Sequence, residues 1–488
     1  MPPQFETPEK SGDPEDPFLV AFSGEDPENP LNWKQSRKWT VTLAMSALTF
    51  ISPTVSSIVA PATTVIAEQF DITNELQQKM IVSIYVLAYA IAPLFLSPLS
   101  EIYGRRVVLQ VANIFFVAFN IGCGFAQSKT QLIVFRFLCG MGGAGPLSVG
   151  GGILSDIWRS EERGKALSIY ALCPVLGPTL GPIIGGFVAQ YSTWRWIFWA
   201  TSIVNGPIML IVYFFLHETY VPVLLERKTK QLIKETGNTE YHHKYQSPEA
   251  TLTNKLATNF SRPFRLMLTQ PIIIFLTAFM AYLYGTMYLV ITSFGEIWVV
   301  NYHESLSIGC LNYIALMLAF FLSTQLTAVL MDRVYKHLKE RNDGKGRPEM
   351  RVPLLFAGGV LVPIGMLWYG WAAQAGTQWI VPDIGIFVFG FGTLTSFSAI
   401  QTYTVDAYTR YAASAFAAIS CIRSLCGFLF PLFAPAMYDK LGYGWGNSVL
   451  ALAGVVLGIP ASVVLWFYGA RLRAVSKYAV SDDAQYTQ

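Results

Sequence analysis

The chain has 488 residues, of which 53% are hydrophobic and 13% charged, with a formal net charge of +3. A soluble protein of this length would hold about three domains and roughly twice that share of charge, so the balance excludes an ordinary soluble assembly and points to a chain that crosses a membrane many times. The small net charge offers nothing to nucleic acid.

The first 38 residues, opening MPPQFETPEKSGDPEDP, are acidic and rich in proline. They are too polar to bury a core, so residues 1–38 are predicted to form a disordered tail. They lack a basic region followed by a short apolar segment, and the first membrane helix is expected to act as the insertion signal. Apolar runs of about 20 residues then predict six spans, at 39–60, 80–100, 107–127, 131–154, 165–188 and 196–217. A polar connector over 218–267 carries Lys228, Lys230, Lys234, Glu235, His242, His243 and Lys244. Six more spans follow, at 268–294, 307–331, 352–373, 380–402, 412–434 and 447–468, and a polar tail closes the chain over 470–488. The expected fold class is an all-α polytopic membrane protein with 12 transmembrane helices in two six-helix bundles, 39–217 and 268–469.

Charge sets the expected orientation. With alternating spans, one side collects Arg105, Arg106, Arg159, Arg163, Lys165, the connector cluster, the basic run from Arg333 to Arg351, Arg471 and Arg473. The other side holds Lys79, Lys129, Arg195 and Lys440. Basic residues favour the cytoplasm, so both termini and the connector are expected there. Arg136 and Arg423 fall inside spans, where a charge is costly and faces a polar cavity or a partner; for Arg136, snorkelling to the outer interface is the alternative. The six cysteines all lie in apolar segments and read as packing residues.

Within the fifth span, GPTLGPIIGG spaces Gly177, Gly181 and Gly185 four residues apart, with Pro178 and Pro182 behind two of them and Gly186 beside the third. On a helix such glycines form one smooth face that admits a neighbouring backbone, and each proline removes an amide donor and lets the helix bend. After the second span, SPLSEIYGRR brackets Gly104 with Glu101 and the pair Arg105, Arg106, a set able to clamp helix ends through charge-assisted hydrogen bonds.

That loop resembles a motif of the major facilitator superfamily: Leu99, Gly104, Arg105 and Arg106 match, while Ser97 and Glu101 stand where the family usually has glycine and aspartate. LIVFRFLCGMGGA sets Arg136 four residues before Gly140, similar to the family's fourth-helix pattern, and that resemblance implies a part in proton coupling. Asp156 with Glu162, Arg163 and Lys165 resembles the charge cluster after the fourth span, and GPTLGPIIGG resembles the antiporter motif of exporters. The second half echoes these features with Asp332 and Arg333 after span eight and Asp406 with Arg410 after span ten, as two repeats would; ordinary helix-end charge explains them equally well. HETYVPVLLERK, RPEMRVP, QTYTVDAY and RSLCGFLFPLFAPAMYDKLGYGWG look like the fungal drug:proton antiporter-1 family of multidrug, polyamine and organic-acid exporters, a resemblance running from about Asn32 to Arg473.

The resemblance implies a major facilitator fold, with bundles rocking about a midplane site, and a cytoplasmic gate of Glu101, Gly104, Arg105, Arg106, Asp156, Arg163, Asp332, Arg333, Asp406 and Arg410. No span shows a carboxylate near its middle. Glu296, near the outer end of span seven, is the candidate proton carrier, or else a water-exposed rim residue. Arg136 or Arg423 with Tyr282, Tyr284 and Tyr288 would suit an anionic or neutral compound; a polyamine or cationic-drug exporter and a proton-independent facilitator are the other readings. The five histidines lie near or beyond membrane edges, so no catalytic residue, cofactor or metal is expected. The expected partners are the bilayer, a small-molecule substrate and protons, with a monomer in the plasma membrane.

Overall fold

The structure is a computed structural model that describes residues 16, 18–22, 26–159, 162–245, 261, 264–409, 412–476 and 479. Arg410 lies outside the described residues. Among these residues the protein is helical, apart from one isolated bridge between Leu19 and His242. The first half comprises α1 (Gln35–Ser57), α2 (Thr63–Gln69), α3 (Glu75–Ile102), α4 (Arg105–Gly124), α5 (Lys129–Ile157), α6 (Arg163–Tyr191) and α7 (Arg195–Phe215). A connector helix, α8 (Val221–Thr236), precedes α9 (Pro271–Val300), α10 (Leu306–Leu311), α11 (Tyr313–Glu340), α12 (Val352–Gln374), α13 (Ile380–Ala407) and α14 (Ala412–Val475).

Among the described residues, eleven helices are long and apolar enough to cross a membrane. The last supplies two of the expected spans. Its 64 residues would reach about 96 Å if straight, some three times the hydrocarbon thickness. Instead the chain reverses at Gly442, whose φ of 69° is open to glycine. Tyr438 Oη donates to Asn447 Oδ1 at 3.2 Å, although nine residues on a straight helix span about 13 Å.

The start of α1, the end of α14 and the connector helix α8 lie on one face, here called the connector side; the opposite face is the far side. The first bundle has separate apolar layers around Met45 and Trp158, around Tyr85 and Phe116, and around Ile58 and Trp194. The second has one continuous core that also takes in Val86 of α3.

One sequence expectation changes. Residues from Asp26 to Lys38, read as part of a disordered tail, are folded: Lys228 Nζ donates to Asp26 Oδ2 at 2.6 Å, Asn29 caps a short 3-10 turn at Pro30–Asn32, and Lys38 Nζ reaches Leu31 O at 2.8 Å. The basic connector gives this acidic segment a partner that its composition could not reveal, and Lys228 holds Asp26 below the usual carboxylate range. The polar connector carries the helix α8, which opens on a first-turn proline and stops at left-handed Gly237.

Candidate functional site

At the junction of the bundles, α9 presents Tyr284 and Tyr288, one helical turn apart, with ring centres 5.0 Å from each other. Phe397 of α13 stacks on Tyr284 at 6.1 Å, and the Arg423 guanidinium of α14 lies 4.8 Å from the same ring. Gly427 makes room for this cluster, because a Cβ there would come within 2.8 Å of Tyr284 Cδ1 and 3.1 Å of Val86. The first bundle contributes Ser56, whose Oγ is 3.0 Å from Tyr288 Oη, and Tyr89, which interacts with both tyrosines. Ser52 Oγ ties Tyr89 Oη at 2.6 Å and Tyr85 Oη at 3.0 Å, and donates to Gly143 O at 2.7 Å. The result is a packed aromatic cluster, called the chamber below, with the Arg423 guanidinium against it. Arg423 is half-buried and its Nε has no hydrogen-bond partner.

Tyr282 is not part of the chamber. Two residues from Tyr284 it faces another way, donating to Leu450 O at 2.8 Å and packing on Gly454. Arg136 also differs from expectation: it neither snorkels nor lines the chamber. Fully buried, it donates from Nη1 to Val55 O at 2.7 Å, from Nη2 to Ser56 O at 2.8 Å and from Nε to Ile81 O at 3.0 Å. Val55 and Ser56 sit at the end of α1, where carbonyls lose their helical partners. Arg136 therefore caps a broken helix, with the Tyr85 ring 4.7 Å away.

The far side is fastened across the bundles. Lys79 of α3 pairs with Glu296 of α9 and donates to Thr292 O at 3.2 Å. The Ser307 amide donates to Gln190 Oε1 at 2.7 Å, and α6 and α10 touch at Gly186, where a Cβ would lie 2.5 Å from Cys310 Sγ. Glu296 is thus half of an ion pair, and Lys79, counted above as an outside-loop charge, is buried. The other three glycines of the motif lie on α1: a Cβ at Gly177 would meet Phe50 O at 2.8 Å, one at Gly181 would meet Thr54 O at 2.6 Å, and one at Gly185 would overlap Ile58 O. Despite Pro174, Pro178 and Pro182, α6 is continuous.

On the connector side the charged residues clamp helices within each bundle. Arg105 Nε donates to Asp156 Oδ2 at 2.9 Å, and Thr219 Oγ1 adds a bond of 3.2 Å to the same oxygen. Glu218, which sequence reading placed only in the connector, accepts the Arg105 amide at 2.9 Å and the Arg106 amide at 3.3 Å, neutralising the start of α4. Glu101 lies beside Tyr220, whose phenol is pushed up to about 12 by burial and by that carboxylate. Arg106 Nη2 donates to Tyr213 O at 3.0 Å. Among the described residues Arg163 makes no side-chain ion pair. Gly104 has φ 98°, and a Cβ there would overlap the Glu218 carboxylate. Gly104→Ala is expected to expel Glu218 and lower stability by about 1–3 kcal/mol, read as a fall in the thermal midpoint of the purified protein.

The second bundle repeats this logic with different partners. Arg351, at the start of its third span, donates from Nε to Asp406 Oδ2 at 3.0 Å and lies 3.7 Å from Asp332. Arg105 with Asp156 is thus matched by Arg351 with Asp406, whereas Arg333 is exposed. Arg473 grips Glu349 through two bonds of 2.8 and 2.9 Å, tying the last span to the ninth as Glu218 ties the sixth to the third. An apolar groove of about 360 Å³ between α3, α4 and α5, lined by Leu99, Val107, Phe115 and Met141, opens on the outside of the first bundle away from the chamber. Its lining suits a lipid chain.

Two helical bundles that meet at an aromatic cluster, fastened on one face and clamped separately on the other, are the architecture of a membrane transporter. A sequence profile of the Major Facilitator Superfamily matches residues 45–431, and the chain belongs to that family. It is 48% identical to the efflux pump vrtL of Penicillium aethiopicum, over 95% of this chain and 92% of the relative. It is 40% identical to the efflux pump radE of Floropilus chiversii, over 95% and 86%. The fold is similar to that of the proton:xylose symporter XylE, with a TM-score of 0.65, 15% identity and coverage of 89% and 96%. A bacterial homologue of the lysosomal transporter Spinster, in an inward-facing conformation, gives 0.61 at 17% identity over 92% and 100%. The chain is a multi-pass transporter of small molecules, not an enzyme.

Proposed function

We propose that this transporter exports a small, partly aromatic organic acid or neutral compound from the cytoplasm in exchange for protons. The observation that carries the substrate side is the Arg423 guanidinium over Tyr284, with its Nε free and aromatic faces around it. Arg423 offers a carboxylate or phenolate a charge-assisted hydrogen bond, and the rings bury its apolar body. Two relatives that carry the name efflux pump support the direction, as does the glycine face of α6, which touches both α1 and the second bundle.

In this reading the basic connector side faces the cytoplasm of the plasma membrane, and a monomer performs the cycle. The far-side contacts of Lys79 with Glu296 and of Gln190 with Ser307 close the exit while substrate enters from the connector side. Separation of Lys79 from Glu296 and of Gln190 from Ser307 would let the far side part. The connector-side clamps, Arg105 with Asp156 and Arg351 with Asp406, keep each bundle rigid as it turns, and α6 slides along α1. Glu101, Arg106, Arg163, Asp332 and Arg333 would line the cytoplasmic approach.

Efflux from cells overproducing the protein, challenged with weak organic acids, neutral xenobiotics and polyamines with and without a protonophore, tests the reading. Protonophore-sensitive export of an acid is the expected result, whereas export confined to polyamines would contradict the Arg423 argument. Arg423→Gln is expected to raise KM for an anionic substrate roughly ten- to a hundredfold, as the loss of one charge-assisted bond implies.

A further inference from the structure

At the far end of the second bundle, Asp383 occupies the first turn of α13 and is 6% exposed. Its Oδ1 is buried without a hydrogen-bond partner. Gly385, two residues on, packs its backbone against Tyr369 of α12, where a Cβ would lie 2.5 Å from the Tyr369 amide nitrogen. This contact sets Asp383 beside Tyr369, and the Tyr369 hydroxyl, fully buried, also lacks a partner.

The titratable groups that face Asp383 are Tyr369 from α12 and Tyr302 and Glu304 from the loop after α9. Glu304 is half-buried; its amide bonds Trp298 O at 3.0 Å and its Oε2 accepts from Asn312 Nδ2 at 3.2 Å. Trp298, beside Tyr302 at a ring distance of 4.8 Å, holds a further buried donor, its indole Nε1, without an acceptor. No cation is among the groups that interact with Asp383. A carboxylate placed here would be desolvated, would face a second carboxylate, and would receive no donor to Oδ1. Each of these disfavours the ionised form.

We propose that Asp383 and Glu304 form a proton-binding site on the far side, with Asp383 holding the proton in this state and half-buried Glu304 passing it to and from the far-side water. As a neutral acid Asp383 avoids the cost of a buried charge that receives no donor. Transfer to Glu304 moves one proton between two carboxylates and changes no other bond. In the transport cycle this site would load the proton that the antiport reading requires. That role rests on the antiport reading, but occupancy of the site by a proton does not.

Infrared difference spectroscopy of the purified protein in lipid nanodiscs separates the two. At neutral pH the protein is expected to show a protonated-carboxyl C=O band that Asp383→Asn removes, Asp383→Glu moves, and Glu304→Gln shifts along with its pH midpoint. A neutral-pH carboxyl spectrum that both Asp383 variants leave unchanged would overturn the proposal. A band assigned to Asp383 in a protein whose transport ignores a pH gradient would uphold the site and remove the antiport reading instead.

Discussion

Arg136→Leu is expected to leave almost no folded protein in the membrane. The guanidinium bonds the carbonyls of Val55, Ser56 and Ile81 at 2.7–3.0 Å, and leucine strands the first two, at the end of α1, in an apolar layer. Each stranded carbonyl costs about 1–3 kcal/mol, and two together are a large part of the folding margin of a domain. Arg136→Lys keeps the charge but has one compact donor group in place of the planar fork, so it should fold in part and melt earlier. Fluorescence-detected size-exclusion chromatography would resolve the series. A monodisperse, wild-type-like peak for Arg136→Leu would show that the break after α1 needs no such cap.

Gly185→Ala should have the second-largest effect, and through a different cause. The added Cβ would overlap Ile58 O, and neither backbone can yield without separating α6 from α1 along the whole glycine face. Transport is expected to fall to background with a lowered thermal midpoint, while Gly206→Ala, where a Cβ meets nothing within 4 Å, leaves both as in the wild type. Normal transport by Gly185→Ala would mean that this close approach is not needed for the cycle.

Both substitutions touch motifs that sequence reading singled out, yet it understood them unequally. The glycine spacing was informative because close approach depends on local periodicity alone, and the three glycines of the face all meet α1. Arg136 was visible as a charge inside a span, but its purpose was hidden. The Val55 and Ser56 carbonyls that it caps are free only because α1 stops at Ser57, 79 residues upstream, and a hydropathy run crosses that break without a change of sign. Glu218 and Lys79 were missed for a related cause. Counting charges by side assigns a residue to water from its position near a span end, whereas Lys79 is buried against a helix 217 residues away. Asp383 was passed over because it stands beside Pro382 at a span's edge, where an exposed helix-start acid is the ordinary expectation.

The second-half echoes show how far internal symmetry reaches. Asp406 was legible as the counterpart of Asp156, but the matching arginine is Arg351, at the start of the ninth span, and lies outside the run that sequence comparison between the halves paired with it. Geometry preserves the clamp between third and fourth spans in each bundle. The clamp between third and sixth spans is preserved with its chemistry altered, a carboxylate on backbone amides in one bundle and a bidentate arginine pair in the other.

Exchange of an organic acid for protons past Arg423 can be followed in purified protein reconstituted in liposomes, with an aromatic carboxylic acid inside and an imposed pH gradient. Release of the acid is expected to accelerate when the outside is made acidic, a proton to enter with it as reported by a trapped pH dye, and Arg423→Gln to weaken both together. Release at one rate whatever the gradient, with no movement of protons, would contradict that exchange.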